Sequence, residues 1–558
     1  MNFIQRTILL VALMVMIGLP LLPQASAQRS AACTVYRELI TTLRPPSYGV
    51  PSVWTGNYAR PDYRVAFHSG VTLEPGVVLG YGVQEYQPVE KTDQEDEAAA
   101  VDEAEEDIAA EKSDGAASAD ADGEKTVAGH DEGVSAQREL VLARLNRRGR
   151  VLDEYKYDAP DDAVPVKFIK LQDGHFLGIT NHGNVEYGDK KNDSKSRQSA
   201  AENEESGTPP VKPVDRYAML HWFDDDGGIV DEVNLSHDDF HYTAQDIVQR
   251  ADGGFVVALQ AHSKEQADEN HTVLMSLDAD AKEEWRRAYR VGIPNKINAV
   301  QETTKGNIVA AGQIETDAGM KAGWVMKVSA KGSILWQRTY RKGLYGSFND
   351  IVDYSPPGAV FPHFVLTGVV DPTDKSARAN WVVAVSSLGD PEWERYFRVP
   401  SYALSGLRIN RYDDGRIVLF GRADYAGGKT GYDHVRMLVL SPNGLLMQDE
   451  SYLSGDGATI HDAILGWRGE RVVFGTAYVD TSSRGRDKNA IQVIGIGEED
   501  EKPQSLNDRV SALLGMNFGR KASKEGGAPP ETMNYEGWVL VGTALDPYEN
   551  PCVPQQAQ

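Results

Sequence analysis

Four oxygen-bearing side chains recur near the start of successive segments of this chain: Asp246 in QDIV, Asn298 in NAV, Asp350 in NDIV and Asp462 in HDAI. Oxygen donors gathered about one axis suit a hard cation such as calcium. The same side chains can instead satisfy backbone N–H groups at strand edges. Leu407, in GLRI, stands where the pattern asks for a fifth polar group. An oxygen ring would thus be broken, and Asp246, Asn298, Asp350 and Asp462 are read as channel or strand-edge polar residues with a structural role.

The stretch HDDFH offers His237 and His241 as a weak candidate loop site. Zinc would need a third and usually a fourth ligand, and only scattered histidines such as His434 and His461 could supply them. The run around DADAD fails as a calcium loop. With Asp120, Asp122 and Gly123 at the third, fifth and sixth positions, Ser118 falls at the first and Gly129 at the twelfth, where a bidentate Glu is required. There is no GxSxG, HExxH or phosphate-cradling glycine loop. Carboxylates are too numerous to single out a glycosidase pair, which is defined by separation in space. No catalytic, cofactor-binding or metal residue is assigned, and no cofactor is expected.

The elements that would position these residues are short strands. A turn followed by an apolar run, read as the second strand of a unit, returns as GVVLGYG at Val77, DGHFLGIT at Phe176, DGGFVVAL at Phe255, GNIVAAG at Ile308, HFVLTG at Phe364, GRIVLFG at Ile417, ERVVFGT at Val472 and GWVLVGT at Val539. From Phe255 to Val472 the landmarks fall 53, 56, 53 and 55 residues apart. Within 295–340 four strands can be placed, with hairpin turns at Lys305-Gly306 and Lys331-Gly332. Trp285, Trp336 and Trp393 occupy matching places in the last strand of their units. Four-stranded sheets this thin must shield one another, and radial stacking does so. The expected fold is all-β: a β-propeller of seven or eight four-stranded blades, closed by strands from both termini.

The DGG turns together with the pattern K-V-x-x-x-G-x-I-x-W-x-x-x-Y resemble the DGG-type repeats of exported bacterial propellers, in the style of quinoprotein-like propellers. The likeness covers about 164–475 and implies architecture. The adjacent cysteine pair of quinoprotein dehydrogenases is missing, since the only cysteines are Cys33 and Cys552.

The first residues combine Arg6, an apolar run from Ile8 to about Leu22 and Ala25-Ser26-Ala27, which reads as a secretory signal over 1–27. Periplasmic or secreted localisation follows, with no stable membrane span after signal removal. Cys33 lacks the large aliphatic residue three positions before it that a lipoprotein would show. In an oxidising compartment Cys33 and Cys552 are expected to form one disulfide that draws the ends together, so that TVYRELITT beside Cys33 and GWVLVGTAL shortly before Cys552 complete one sheet. One propeller domain over 28–550 is expected, with an acidic insertion at 89–133, a polar insertion at 188–213 and a tail at 551–558. Both insertions are poor in core-forming residues and are expected to be disordered. They interrupt units between the second and third strands, making one propeller face variable.

The formal charge is −25, much of it in the first insertion, and nucleic acid is excluded as a partner because phosphate binding requires clustered Lys and Arg. These features favour a monomeric, non-catalytic exported propeller that binds or scaffolds a protein or a cell-envelope polymer. The alternative is a propeller enzyme, a glycan hydrolase or a quinoprotein-like oxidoreductase, with its site at the channel mouth.

Overall fold

The computed structural model describes residue 33 and, short connecting stretches aside, residues 35–46, 53–86, 138–158, 163–183, 216–480 and 533–548. The expected leader, both insertions, Cys552 and the tail lie outside the described residues.

All regular structure among the described residues is β. Two strands come first, β1 (Glu38–Thr42) and β2 (Val53–Tyr58). Next are β3 (Tyr63–Glu74), β4 (Val77–Tyr86), β5 (Arg138–Leu145) and β6 (Val151–Asp158). They are followed by β7 (Val164–Lys170), β8 (Phe176–His182), β9 (Tyr217–Phe223) and β10 (Ile229–Leu235). A third run holds β11 (Phe240–Gln249), β12 (Phe255–Ser263), β13 (Asn270–Leu277) and β14 (Glu283–Tyr289). A fourth holds β15 (Asn295–Glu302), β16 (Ile308–Glu315), β17 (Lys321–Val328) and β18 (Ile334–Tyr340). Then come β19 (Tyr345–Asp353), β20 (Phe364–Asp371), β21 (Ala379–Val385) and β22 (Pro391–Arg398). After these run β23 (Tyr402–Arg411), β24 (Ile417–Tyr425), β25 (His434–Leu440) and β26 (Leu446–Tyr452). The last are β27 (Gly457–Leu465), β28 (Arg471–Asp480) and β29 (Met533–Gly542).

These strands build a β-propeller. Five sheets have four strands each, among them one in the order β2-β29-β28-β27. A sixth has nine: the antiparallel run β15–β18 meets the run β19–β22 at a single parallel pair, Lys321 with Tyr345, and β1 lies parallel along β22. The apolar core lies in layers between successive sheets, as where Leu177 and Ile179 of β8 pack with Val257 and Leu259 of β12. Second and third strands are buried along their length, β8 and β21 throughout, because neighbours cover both of their faces. Such strands read as continuous apolar runs, which is why they were the visible landmarks.

Two expectations about the ends need correction. The landmark at Val539 is not a second strand but a third: β29 pairs with β28, itself the second strand after β27. A further long connection therefore separates β28 from β29. It passed unnoticed because GWVLVGT carries the same doubly buried apolar pattern as a second strand. The segment TVYRELITT does not lie beside β29 either. Its strand β1 runs along β22, with Glu38 opposite Glu394, while β2 supplies the partner of β29, with Trp54 opposite Val541. Alternating exposure along β1 fits a strand laid on an outer edge.

The periodic Trp and Tyr residues explain the repeat. Trp285 and Tyr289, on β14, reach the hairpin that joins β17 to β18: Trp285 Nε1 donates to the Ala330 carbonyl at 2.9 Å and the Tyr289 hydroxyl to the Gly332 carbonyl at 2.8 Å. Trp336 and Tyr340 repeat the clamp one unit on, donating to Ser387 and Gly389 carbonyls at 2.9 and 2.6 Å. In the next unit Phe397 lacks a hydroxyl, and Arg395 Nε takes the Gly444 carbonyl instead, at 2.9 Å, while its guanidinium lies over Trp393.

Gly389 has φ 81° and a Cβ there would stand 2.7 Å from Trp336 Cζ3. The left-handed conformation costs an L-residue about 1–2 kcal/mol and overpacking adds about 1–3 kcal/mol. Gly389→Ala is therefore expected to lower stability by roughly 2–4 kcal/mol, read as a lower urea midpoint at unchanged m-value. A loss below about 0.5 kcal/mol, the size of an ordinary surface substitution, would show that the clamp does not hold this turn.

Candidate functional site

The first strand of each four-strand run lines one central cavity of about 680 Å³. Every one of these strands carries a bulge at the same height: Phe67/Ser69, Pro165/Lys167, Ala244/Asp246, Ile297/Ala299, Phe348/Asp350, Gly406/Arg408 and Ile460/Asp462. A bulge adds one unpaired residue and re-aims the side chain after it. The residues that share the ring position are thus Ser69, Lys167, Asp246, Ala299, Asp350, Arg408 and Asp462.

This corrects the sequence alignment at two places. Asn298 and Leu407 are bulge residues, one position early; their runs place Ala299 and Arg408 in the ring. Asn298 instead donates through Nδ2 to the Phe348 carbonyl at 2.7 Å, across to the neighbouring first strand. Lys167 and Arg408 stand outside a pattern of oxygen-bearing side chains, and Ser69 lies before residue 164, where the repeat is weak. Counting nine residues back from the landmarks at Phe176, Phe255, Ile308 and Ile417 lands on Lys167, Asp246, Ala299 and Arg408, but the same count from Val77, Phe364 and Val472 misses Ser69, Asp350 and Asp462, so spacing alone finds only part of the ring.

Each carboxylate oxygen in the ring has a partner. Asp246 Oδ1 accepts from Lys167 Nζ and Oδ2 from the Val300 N–H at 2.8 Å. Asp350 Oδ1 accepts from the Ile351 N–H at 2.8 Å and Oδ2 from the Ile409 N–H at 2.9 Å. Asp462 Oδ1 accepts from Arg408 Nε at 2.7 Å and from the Ala463 N–H at 2.9 Å, while Oδ2 takes the Ser69 hydroxyl at 2.5 Å. Ser69 Oγ in turn accepts the Phe168 N–H at 3.0 Å. Three of these contacts, to Val300, Ile409 and Phe168, follow one rule: a ring side chain on one first strand captures the backbone N–H just past the ring residue of the next. The ring is a set of staples between sheets.

Electrostatics follow from this arrangement. Burial pushes Asp350 up to about 6, with nearby Asp246 adding to the rise while Arg408, the Ile409 N–H and Lys167 oppose it. Burial works against the charge on Lys167, but Asp246 overrides it and raises the ammonium above its usual range. Arg408 is likewise raised despite burial, through Asp462 and Asp350.

On the other side of the ring, residues that precede it on β3 and β27 line a second cavity of about 530 Å³. The bulge residues His68 and His461 stack there, ring centroids 4.6 Å apart and planes 17° apart. His461 Nε2 lies 3.1 Å from Thr476 Oγ1. Arg64, Arg138, Tyr478 and Tyr535 also line it, with Glu85, Thr459 and Thr476.

The loop histidines do not converge. His237 Nδ1 accepts the Asp239 N–H at 3.0 Å and its ring meets Phe240 and Tyr242, whereas His241 Nδ1 accepts the Arg216 N–H at 3.1 Å. Among the described residues no group of three or more His, Cys, Asp or Glu side chains is arranged to hold a metal ion. Cys33 is half-buried at a turn before β1; its expected partner, Cys552, lies outside the described residues. No helix among the described residues is long and apolar enough to cross a membrane.

No family model matches the chain, and no curated protein does. Among solved structures, a protein of unknown function from Dyadobacter fermentans aligns at 12% identity and TM-score 0.39, covering 70% of this chain and 99% of its own. An α-L-arabinanase from Penicillium chrysogenum aligns at 10% and 0.36, covering 71% and 99%. The NanB sialidase of Streptococcus pneumoniae aligns at 8% and 0.35, covering 70% and 68%.

Proposed function

We propose that this protein is a monomeric, exported, non-catalytic β-propeller that binds a cell-envelope polymer or a protein partner on the face from which its long connections leave. The observation that carries this reading is the occupancy of the central carboxylates. All six oxygens of Asp246, Asp350 and Asp462 are taken by cations, hydroxyls or backbone N–H groups of the protein itself. Each of these oxygens gives at least one lone pair to the protein itself, which favours carboxylates that join neighbouring sheets over a pair left unpartnered for acid–base work.

We read the nine-stranded sheet as two blades, which gives seven, the last combining β27, β28 and β29 with β2. Two things support the count: seven apolar clusters, one between each pair of successive four-strand runs, and the bulge recurring once per run. A Cys33–Cys552 disulfide would hold the two ends of such a ring together, and export through the 1–27 signal would supply its oxidising surroundings.

Incubating the purified mature chain with envelope polysaccharides tests the reading. Retention of polymer with no new reducing ends is expected. New reducing ends would replace it with the glycan-hydrolase reading.

A further inference from the structure

The cavity around His68 and His461 lies between β3 and β27, beyond the ring residues Ser69 and Asp462. It opens at the strand ends flanking the acidic connection, with Glu85 near the end of β4 and Arg138 at the start of β5 in its wall. The chain as a whole carries −25, yet this wall offers Arg64 and Arg138 against the single carboxylate of Glu85. Arg64 is exposed at the rim, its guanidinium 4.9 Å above the Tyr535 ring, with Tyr478 set edge-on to Tyr535 at 5.2 Å. Arg138 reaches Glu85 only at 3.4 Å, and its buried Nε has no acceptor among the described residues. Thr459 and Thr476 add hydroxyls from the opposite sheet.

Two guanidiniums beside two aromatic rings and two hydroxyls, in a space of about 530 Å³, match an anionic sugar. Guanidinium forks suit a carboxylate, tyrosine rings suit the apolar face of a pyranose, and the volume falls in the range of small-molecule sites. We propose that this cavity binds a carboxylate-bearing sugar, with Arg64 and Arg138 on the carboxylate and Tyr478 and Tyr535 against the ring. The proposal rests on the binding reading above and names its ligand class.

The stacked imidazoles give the site a signature. His68 faces His461 and Arg138, and burial with both of these holds it well below the usual histidine range. His461 faces Arg408, Arg422 and Asp462; burial, then the two arginines, bring it down to about 4 against a small opposing pull from Asp462. Arg422 is itself held by Asp424 at 2.6 Å. Two neutral imidazoles in cationic surroundings gain affinity for protons when an anion arrives. Binding should therefore take up a proton and tighten as pH falls toward the range where the bound imidazole titrates.

Calorimetry of the full mature chain with digalacturonate, in two buffers of different ionisation heat, tests this. The expected result is binding that tightens from pH 7.5 to 5.5 with net proton uptake, no binding of neutral digalactose, and weaker binding of inorganic phosphate. Arg64→Gln, at an exposed rim position, should weaken binding at least tenfold with an unchanged melting temperature. His461→Gln should reduce proton uptake and flatten the pH dependence. Absence of digalacturonate binding, equal binding of digalactose, tighter binding of phosphate, or pH-independent affinity would each overturn the site. Shortening of a bound oligomer would support the site and overturn only the non-catalytic reading.

Discussion

Asp462→Ala is expected to destabilise the protein by about 3–5 kcal/mol, the usual loss when one member of a buried ion pair is removed. Asp462 is 4% exposed and is, among the described residues, the only carboxylate hydrogen-bonded to Arg408, whose side chain is about a quarter exposed. Its loss would leave a guanidinium inside the ring with Asp350 as its nearest remaining counter-charge, and would release Ser69 from its acceptor. Because the cost comes mainly from stranding the cation, removing both charges should cost less than removing one. The pair Arg408→Met and Asp462→Ala, measured singly and together by urea unfolding, should show a coupling of at least about 1 kcal/mol, within the range expected for contacting residues. Additive effects would mean that the pair does not act as a unit and that the ring is not a staple.

The second large effect is a pH dependence. Asp350 titrates at about 6 in the folded protein, above its ordinary value of 3.8, mainly because burial disfavours its charge. A folded-state pKa raised above the unfolded value contributes stability that is fully present below the unfolded pKa and is lost as pH rises through the folded one. Between about pH 4 and pH 7 this single group should therefore withdraw roughly 3 kcal/mol, two units at about 1.4 kcal/mol each. The check is the difference in unfolding free energy between the native chain and Asp350→Ala as a function of pH. The advantage of the native chain should be greatest near pH 4 and shrink toward pH 7. An advantage that grew with pH would mean that Arg408 and Lys167 outweigh burial and that Asp350 is an ordinary ion-paired carboxylate.

Much of the architecture was legible because a strand covered on both faces must be apolar along its length, and such strands punctuated by Gly turns stand out even without relatives. Trp285, Trp336 and Trp393 could be seen to recur for the same reason, since each fills the same gap beside a neighbouring hairpin. The candidate site was legible only in part. Asp246, Asp350 and Asp462 line one cavity, whereas Asn298 stands one residue out of register, and a bulge is a two-against-one pairing that no spacing along one strand reveals. The first-strand cations Lys167 and Arg408 looked like ordinary surface charges beside apolar neighbours.

Residue order by itself determined the strand period, the turns, the doubly buried runs and two of the places where long connections interrupt them, because these depend on local conformation and on how much apolar surface each segment must hide. Tertiary structure alone decided that β2 rather than β1 completes the sheet with β29, that Lys167 and Arg408 stand among three acids around one cavity, and that His68 and His461, nearly four hundred residues apart in the chain, stack face to face. Those facts depend on which edges meet when thin sheets pack around an axis, and an edge meets its partner at a distance along the chain that local forces do not sense.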